Sequence, residues 1–379
     1  MPFEIATADD YQDLLDRVRR FATGVGTIDS ESFSGDGDGT LEDLDTTPDT
    51  VDETWTIECT DDSTEGEEVW SVTGSVSGAQ DDATTGEDYA NDYISFRVEA
   101  GDTAFSVGDE FTVTVEQGEL AEADEAWDEL RWREDPDDAG ERELILRGPG
   151  LADQDEIYVS IMSYSSESGD YYNWALRGHT GFVDDNDTDS QPGTFGPVAV
   201  LLFQSSIPYW LSVTGRRINL VARVSTRYMS CGLGLIRPQA TPDEYPYPVY
   251  IGGCIAGAPA ERWDREESDH AFPWDGPIHD GDRMRVRFVD GSTQQYNVHP
   301  FENEDVYRPL NGDEDYALER LILSGADPEN VIGYVDGIYH ITGFGLSAED
   351  IVPVDGVDHL VVPNIYRNGF NDYVAFALE

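Results

Sequence analysis

A chain of 379 residues with 79 Asp and Glu against 22 basic residues carries a formal net charge of −57. That excludes direct nucleic-acid binding, which is driven chiefly by basic side chains meeting phosphates. All 22 basic residues are arginine, and the combination is that of a protein working in molar salt, where the Debye length is roughly 3 Å and repulsion among surface carboxylates is screened.

An apolar content of 39% with 11% aromatics can build a core, so the acidity does not mean disorder over most of the chain. No apolar run approaches the ~18 residues needed to span a bilayer, so no membrane insertion is expected, and the opening MPFEIATADDYQDLL lacks a signal-peptide pattern. Three cysteines (Cys59, Cys231, Cys254) form no CxxC pair and leave one over, which argues against a disulfide framework.

In chain order, residues 8–22 place Tyr11, Leu14, Leu15, Val18 and Phe21 at helical spacing, with Asp9 or Asp10 as N-cap and Arg17, Arg19 and Arg20 near the end, where cations favour the helix dipole. Residues 1–26 therefore read as an N-terminal amphipathic helix. Residues 27–66, rich in Asp, Thr, Ser and Gly, read as an acidic loop or insertion. From Val69 the period becomes two, and WSVTGSVSG, YISFRVEA and EFTVTVEQG predict a small β-module over 67–118.

Residues 119–138, with Leu120, Trp127, Leu130 and Trp132, read as a short helix or a linker. A series of strands follows (ELILRGPG, DEIYVSIMSYSS, YYNWALRGHTGF, VAVLLF, PYWLSV, RINLVARVS, SCGLGLI), which predicts a central β domain over 119–260. A C-terminal β-rich domain over 261–379 holds the strand RMRVRFV, a helical pattern at 313–324 and the closing strands GIYHITGF, HLVVPNIYR and DYVAFALE. The expected fold is mainly β: sandwich- or barrel-like modules, the N-terminal helix and one or two further short helices.

The charge is unevenly distributed. Residues 191–260 hold five arginines (Arg216, Arg217, Arg223, Arg227, Arg237) and two acids (Asp243, Glu244), so this block carries +3 while the other 309 residues carry −60. A segment spared the acidity does not face solvent: it is core, subunit interface, or both. Arg and aromatic residues are favoured and acids depleted at interfaces. That makes Arg216, Arg217, Arg223 and Arg227 candidates for inter-subunit ion pairs. The proline-stiffened strip 242–250, with Tyr245, Tyr247 and Tyr250, is either a contact strip or a loop capping its own core.

One metal pattern stands out. Ser34, Asp36, Asp38, Thr40, Glu42 and Asp45, with Gly39 at position 6, follow the spacing of a calcium loop. Ser at position 1, Asp at position 12 and the following Thr46-Thr47-Pro48 depart from it, so the alternatives are a site for calcium or another cation and a solvated acidic loop. No other cofactor is implied. The six histidines show no HxH or HExxH spacing, and no GxSxG, P-loop or GxGxxG motif occurs, so the chain is not read as an enzyme.

The central segments, above all SSIPYWLSVTGRRINLVARVSTRYMSCGLGLIRPQATPDEYPYPVYIGG, resemble a family of structural proteins from the virions of tailed phages and prophages, associated with the tail and its distal end. Arg223 stands where a lysine before VST is usual. Residues 335–339, 342–345, 359–362 and 366–373 resemble the family's closing strands, and 94–115 is similar to a β-module recurrent in phage tail proteins; the acidic stretches 27–66 and 261–282 depart from the pattern.

The resemblance implies a non-enzymatic tail subunit, at the tip or baseplate, of a virus infecting a salt-loving host. Its partners would be other virion proteins and copies of itself, with a host surface receptor as a further candidate, and its location the virion tail after assembly in the host cytoplasm. The alternatives are a receptor- or glycan-binding tail protein and a capsid or head–tail connector subunit.

Overall fold

The computed structural model describes residues 3–118, 126–134, 141–150, 157–238, 249–256, 260, 262, 284–287, 293–295, 297–300, 316–324, 331–363 and 373–379. The chain divides into two compact units, one formed by 1–22 with 121–379 and the other by 23–120.

The larger unit contains three antiparallel sheets. One has the order Phe3–Ala8, Ile207–Thr214, Arg217–Val224, Arg227–Leu235, Val249–Gly252, Met284–Arg287, Thr293–Gln295. A second runs Asp128–Glu134, Arg142–Gly148, Ile157–Ser166, Tyr171–His179, Phe195–Leu202, Ile255–Ala256. The third holds Asn297–Pro300, Glu319–Ser324, Val331–His340, Tyr373–Leu378, Val357–Pro363 and Ile351–Val354.

The first sheet is the central layer, and the two-residue period of its strands shows why. Tyr209, Leu211, Val213, Ile218, Leu220 and Ala222 pack into one core with the helix and the second sheet. The alternate residues Trp210 and Val221, with Tyr250 and Ile236, pack into another core with Leu323, Val335, Ile338, Leu360 and Phe376 of the third sheet. Successive side chains leave a strand on opposite faces, so a strand with both faces covered needs an uninterrupted apolar run. The described strands of the charge-poor block are therefore covered on both faces by their own chain.

The helix Tyr11–Thr23 buries Tyr11, Leu14, Leu15, Val18 and Phe21. Asp10 Oδ1 caps it, accepting from Gln12 N at 2.7 Å and Asp13 N at 3.0 Å. Trp174 Nε1 donates to the Tyr11 carbonyl at 2.9 Å, so the second sheet fixes the helix start. The helix and the strand Phe3–Ala8, which pairs with Ile207–Thr214, belong to the same unit as 121–379, so residues 1–26 are not a separate piece. That unit also joins the expected 119–260 and 261–379 domains.

The 23–120 unit is a sandwich inserted after the helix. Its larger sheet has the order Thr27–Ser34, Glu110–Glu116, Glu53–Asp61, Val69–Gly74, Gly78–Ala79, and its smaller one Thr40–Thr46, Ile94–Glu99, Asp88–Ala90. Trp55, Ile57, Cys59, Trp70, Val72, Phe96, Phe111 and Val113 form its core. Its two ends approach closely: a side chain at Gly118 would collide with the Gly24 carbonyl. In the larger unit Trp127 N donates to the Ala22 carbonyl at 2.9 Å, so the end of the helix meets the residue before the strand Asp128–Glu134 where the insertion leaves.

Three expectations are corrected. Residues 27–66 are not a loop, since they supply three strands of the sandwich; Trp55, Ile57 and Cys59 alternate inward, and Glu53, in phase with them, is buried on the amides of Val76 and Ser77. Residues 128–134 form a strand, because pairing with Arg142–Gly148 overrides the helix propensity of Glu, Leu and Arg. Residues 319–324 of the expected 313–324 helix are likewise a strand, between Asn297–Pro300 and Val331–His340; 313–315 lie outside the described residues. Among the described residues the further helical element is the 3₁₀ turn Thr188–Ser190. None of their helices is long and apolar enough to cross a membrane.

Candidate functional site

Four arginines of the charge-poor block, Arg216, Arg217, Arg223 and Arg237, find carboxylates in the C-terminal part of the chain. Arg216 Nε lies 3.1 Å from Asp336 Oδ2, and Arg237 Nε lies 3.0 Å from Asp336 Oδ1. Arg217, whose side chain has 0% exposure, donates from Nη2 to Glu379 Oε1 at 3.1 Å and from Nη1 to Thr214 Oγ1 at 3.2 Å. Gly337 has φ +70° and sits against the Arg217 guanidinium, where any Cβ would collide. Asn219 Nδ2 and Ser212 Oγ donate to the carbonyls of Asp336 and Glu379 at 3.2 and 2.8 Å.

Burial alone would raise the Asp336 carboxyl, but Arg217, Arg237 and Arg216 together outweigh it and hold it below the ordinary carboxylate range. At one side of this network Arg223 Nη1 and Tyr228 Oη both donate to Glu349 Oε1, at 2.5 and 2.7 Å. Three of the four arginines expected to pair with another subunit therefore pair within the chain. Arg227 is half-buried and has partners of its own. Tyr250 is fully buried, with its hydroxyl 3.4 Å from Asn219 Oδ1, so its side chain is core and not a contact strip. Tyr245 and Tyr247 lie outside the described residues.

The calcium-like stretch takes a different shape. Ser34 ends one strand, Thr40, Glu42 and Asp45 lie on the next, and a strand stands where a calcium loop would be followed by a helix. The loop between them turns N–H groups toward a carboxylate: Asp36 N and Gly37 N donate to Asp109 at 2.9 and 3.1 Å. Burial would raise Asp109, but the Ser106, Asp36 and Gly37 amides hold it low. Asp38 Oδ1 accepts from Thr103 N at 2.7 Å, Asp45 Oδ1 accepts from Thr46 N at 2.9 Å, and Glu42 pairs with Arg97 at 3.4 Å. A loop that presents amide hydrogens to an anion has the opposite polarity to a cation cage. Among the described residues no group of three or more His, Cys, Asp or Glu is arranged to hold a metal.

Sequence reasoning did not find a buried polar layer on the second sheet, beneath residues 180–194. Arg131 forms a bidentate pair with Glu143, at 2.8 Å to Oε2 and 2.9 Å to Oε1, and donates from Nη1 to the Asp184 and Asn186 carbonyls at 2.9 and 2.8 Å. Arg177 Nε lies 2.5 Å from Asp189 Oδ1. His179 has 0% exposure and bridges Ser160 Oγ, at 2.8 Å from Nε2, and Thr194 Oγ1, at 2.9 Å from Nδ1. Burial, with Arg177 and Arg131 nearby, lowers its pKa to about 4.

Gln191 closes the covering loop on itself, accepting from Val183 N at 2.8 Å and donating to the Asn186 carbonyl at 2.7 Å. The signal in the sequence was polar residues interrupting apolar strands: Ser160 and Ser163 in IYVSIMS, Arg177 and His179 in WALRGH. His179 and Ser160 are completely enclosed, which suits a structural brace better than a nucleophile–base pair.

No protein-family model matches this chain, and no curated protein matches it in sequence.

Proposed function

We propose that this chain is a structural subunit of a tailed virus of a salt-loving host, placed in the tail at its tip or baseplate, and that it works by assembly without catalysis. The observation that carries the reading is the three-sheet platform, whose central layer is braced internally by the Asp336 and Glu349 ion networks and whose chain is interrupted by a separate acidic sandwich. Such a body suits a load-bearing particle component. The sequence resemblance of its central strands points to the same role. Because Arg216, Arg217 and Arg223 are engaged within the chain, contacts to neighbours use other surfaces.

Cryo-electron microscopy of purified virions tests the reading. Density matching this fold in the tail is expected, and virions without the protein would overturn it. A receptor- or glycan-binding tail protein is favoured by one observation: Tyr164 and Tyr171, both half-buried near a hairpin end, have rings 5.9 Å apart and 9° from parallel. Density at a free distal tip, with that hairpin exposed, would select this second reading.

A further inference from the structure

The strand Phe3–Ala8 ends the central sheet. Ile207–Thr214 pairs with one side of it, and among the described residues no backbone group meets the other. An open strand edge offers unpaired N–H and C=O groups to any extended chain that reaches it, and proteins guard such edges with charge or proline. Other end strands of this chain are guarded in that way. Thr27–Ser34 exposes Asp29 and Glu31, Asp128–Glu134 exposes Asp128 and Glu134, and Ile351–Val354 carries Pro353.

Phe3–Ala8 has no such guard. Its single charge, Glu4, is turned to its own chain, where it accepts from Tyr209 Oη at 2.7 Å. Ile5, across the ladder from Trp210, is 53% exposed, and Thr7, two residues on and so on the same face, is exposed as well. In a chain of net charge −57 this edge is a strip on which a second, equally negative copy can approach without setting carboxylate against carboxylate.

We propose that this edge pairs with itself: the Phe3–Ala8 strands of two copies join antiparallel about a two-fold axis at Ile5 and continue the central sheet from one chain into the other. The sequence of the strand fits that register. Ile5 meets Ile5 of the second copy, Phe3 meets Thr7 and Glu4 meets Ala6, so both exposed isoleucines leave water and no carboxylate opposes another. A register centred on Glu4 would set two carboxylates face to face. The inference does not depend on a place in a virion.

The test is sedimentation of the full chain in molar potassium chloride over a range of protein concentrations. A reversible dimer is expected, and Ile5→Asp, which puts two carboxylates at the axis, should raise its dissociation constant about tenfold or more. Ile5→Cys supplies an accessible thiol in a chain whose Cys59, Cys231 and Cys254 are buried. A short bismaleimide should link two copies of Ile5→Cys. It should link Thr7→Cys far less, because in this register the two Thr7 positions stand four residues apart along the ladder, roughly 14 Å. A wild-type monomer at every concentration, a dimer that Ile5→Asp leaves intact, or equal linking of the two cysteine variants would overturn the proposal.

Discussion

Between Ile207 and Leu235 three strands place apolar side chains on both faces and direct Arg216, Arg217 and Arg223 at carboxylates within the same unit. The 23–120 sandwich carries 27 Asp and Glu against Arg97 alone, a net −26 in 98 residues. Both regions are antiparallel β, and they differ in what covers the strands. Where both faces are packed, a carboxylate has no water and is admitted only beside a guanidinium.

Where a strand has an open face, or a turn has unanswered amides, carboxylates are accommodated. Glu53 accepts from Val76 N and Ser77 N, both at 3.0 Å, and Asp52 accepts from Gln117 N at 2.8 Å. The charge map of the sequence is to that extent a burial map.

The largest effect expected from breaking this contrast is at Asp336. Asp336→Ala removes the carboxylate that Arg216 and Arg237 both pair with and that offsets the charge of buried Arg217, and loss of one partner of a buried pair costs about 3–5 kcal/mol. Chemical denaturation in molar salt should show that loss in the larger unit's transition and leave the sandwich transition in place.

The next effect is a pH dependence carried by His179. Its folded pKa, about 4, lies below the ordinary value of 6.5. The unfolded chain therefore binds the proton more readily, and the neutral ring's contribution is fully present above pH 6.5. It is lost as pH falls from 6.5 toward 4, by about 3 kcal/mol in all. Comparing unfolding of the wild type and His179→Gln across that window isolates the contribution, and the variant should lack this part of the slope.

Salt sharpens the comparison further. Dilution from molar to ~0.1 M salt lengthens the Debye length from roughly 3 to 10 Å. The sandwich midpoint should fall further than that of the larger unit, read by calorimetry. The smallest expected effect is at Arg97, which lies within 3.4 Å of Glu42 and Asp43, 3.3 Å of Asp88 and 2.5 Å of Glu99. Arg97→Gln should leave the sandwich folded in molar salt and raise the salt concentration at which it melts on dilution.

The helix was legible because Tyr11, Leu14, Leu15, Val18 and Phe21 keep one period, and the central strands because their apolar runs are long. The strands of 27–66 were obscured because exposed acids and turn-capping carboxylates dilute a pattern visible only at Trp55, Ile57 and Cys59. The strand at 128–134 was obscured because its partner, not its composition, decides its state. The arginines were legible as contact residues but their partners were not: Asp336, Glu349 and Glu379 lie more than a hundred residues away, and nothing local marks which carboxylate meets which guanidinium. Ser160, Arg177 and His179 were visible as polar intrusions, but only the loop folded over them makes a site.

The most direct test of the account is amide hydrogen exchange across 207–235 in the isolated monomer in molar salt. Protection approaching that of global unfolding is predicted, because both faces of these strands are covered by layers of their own chain. Fast exchange in the monomer, with protection appearing only on assembly, would place the charge-poor block between subunits and contradict it.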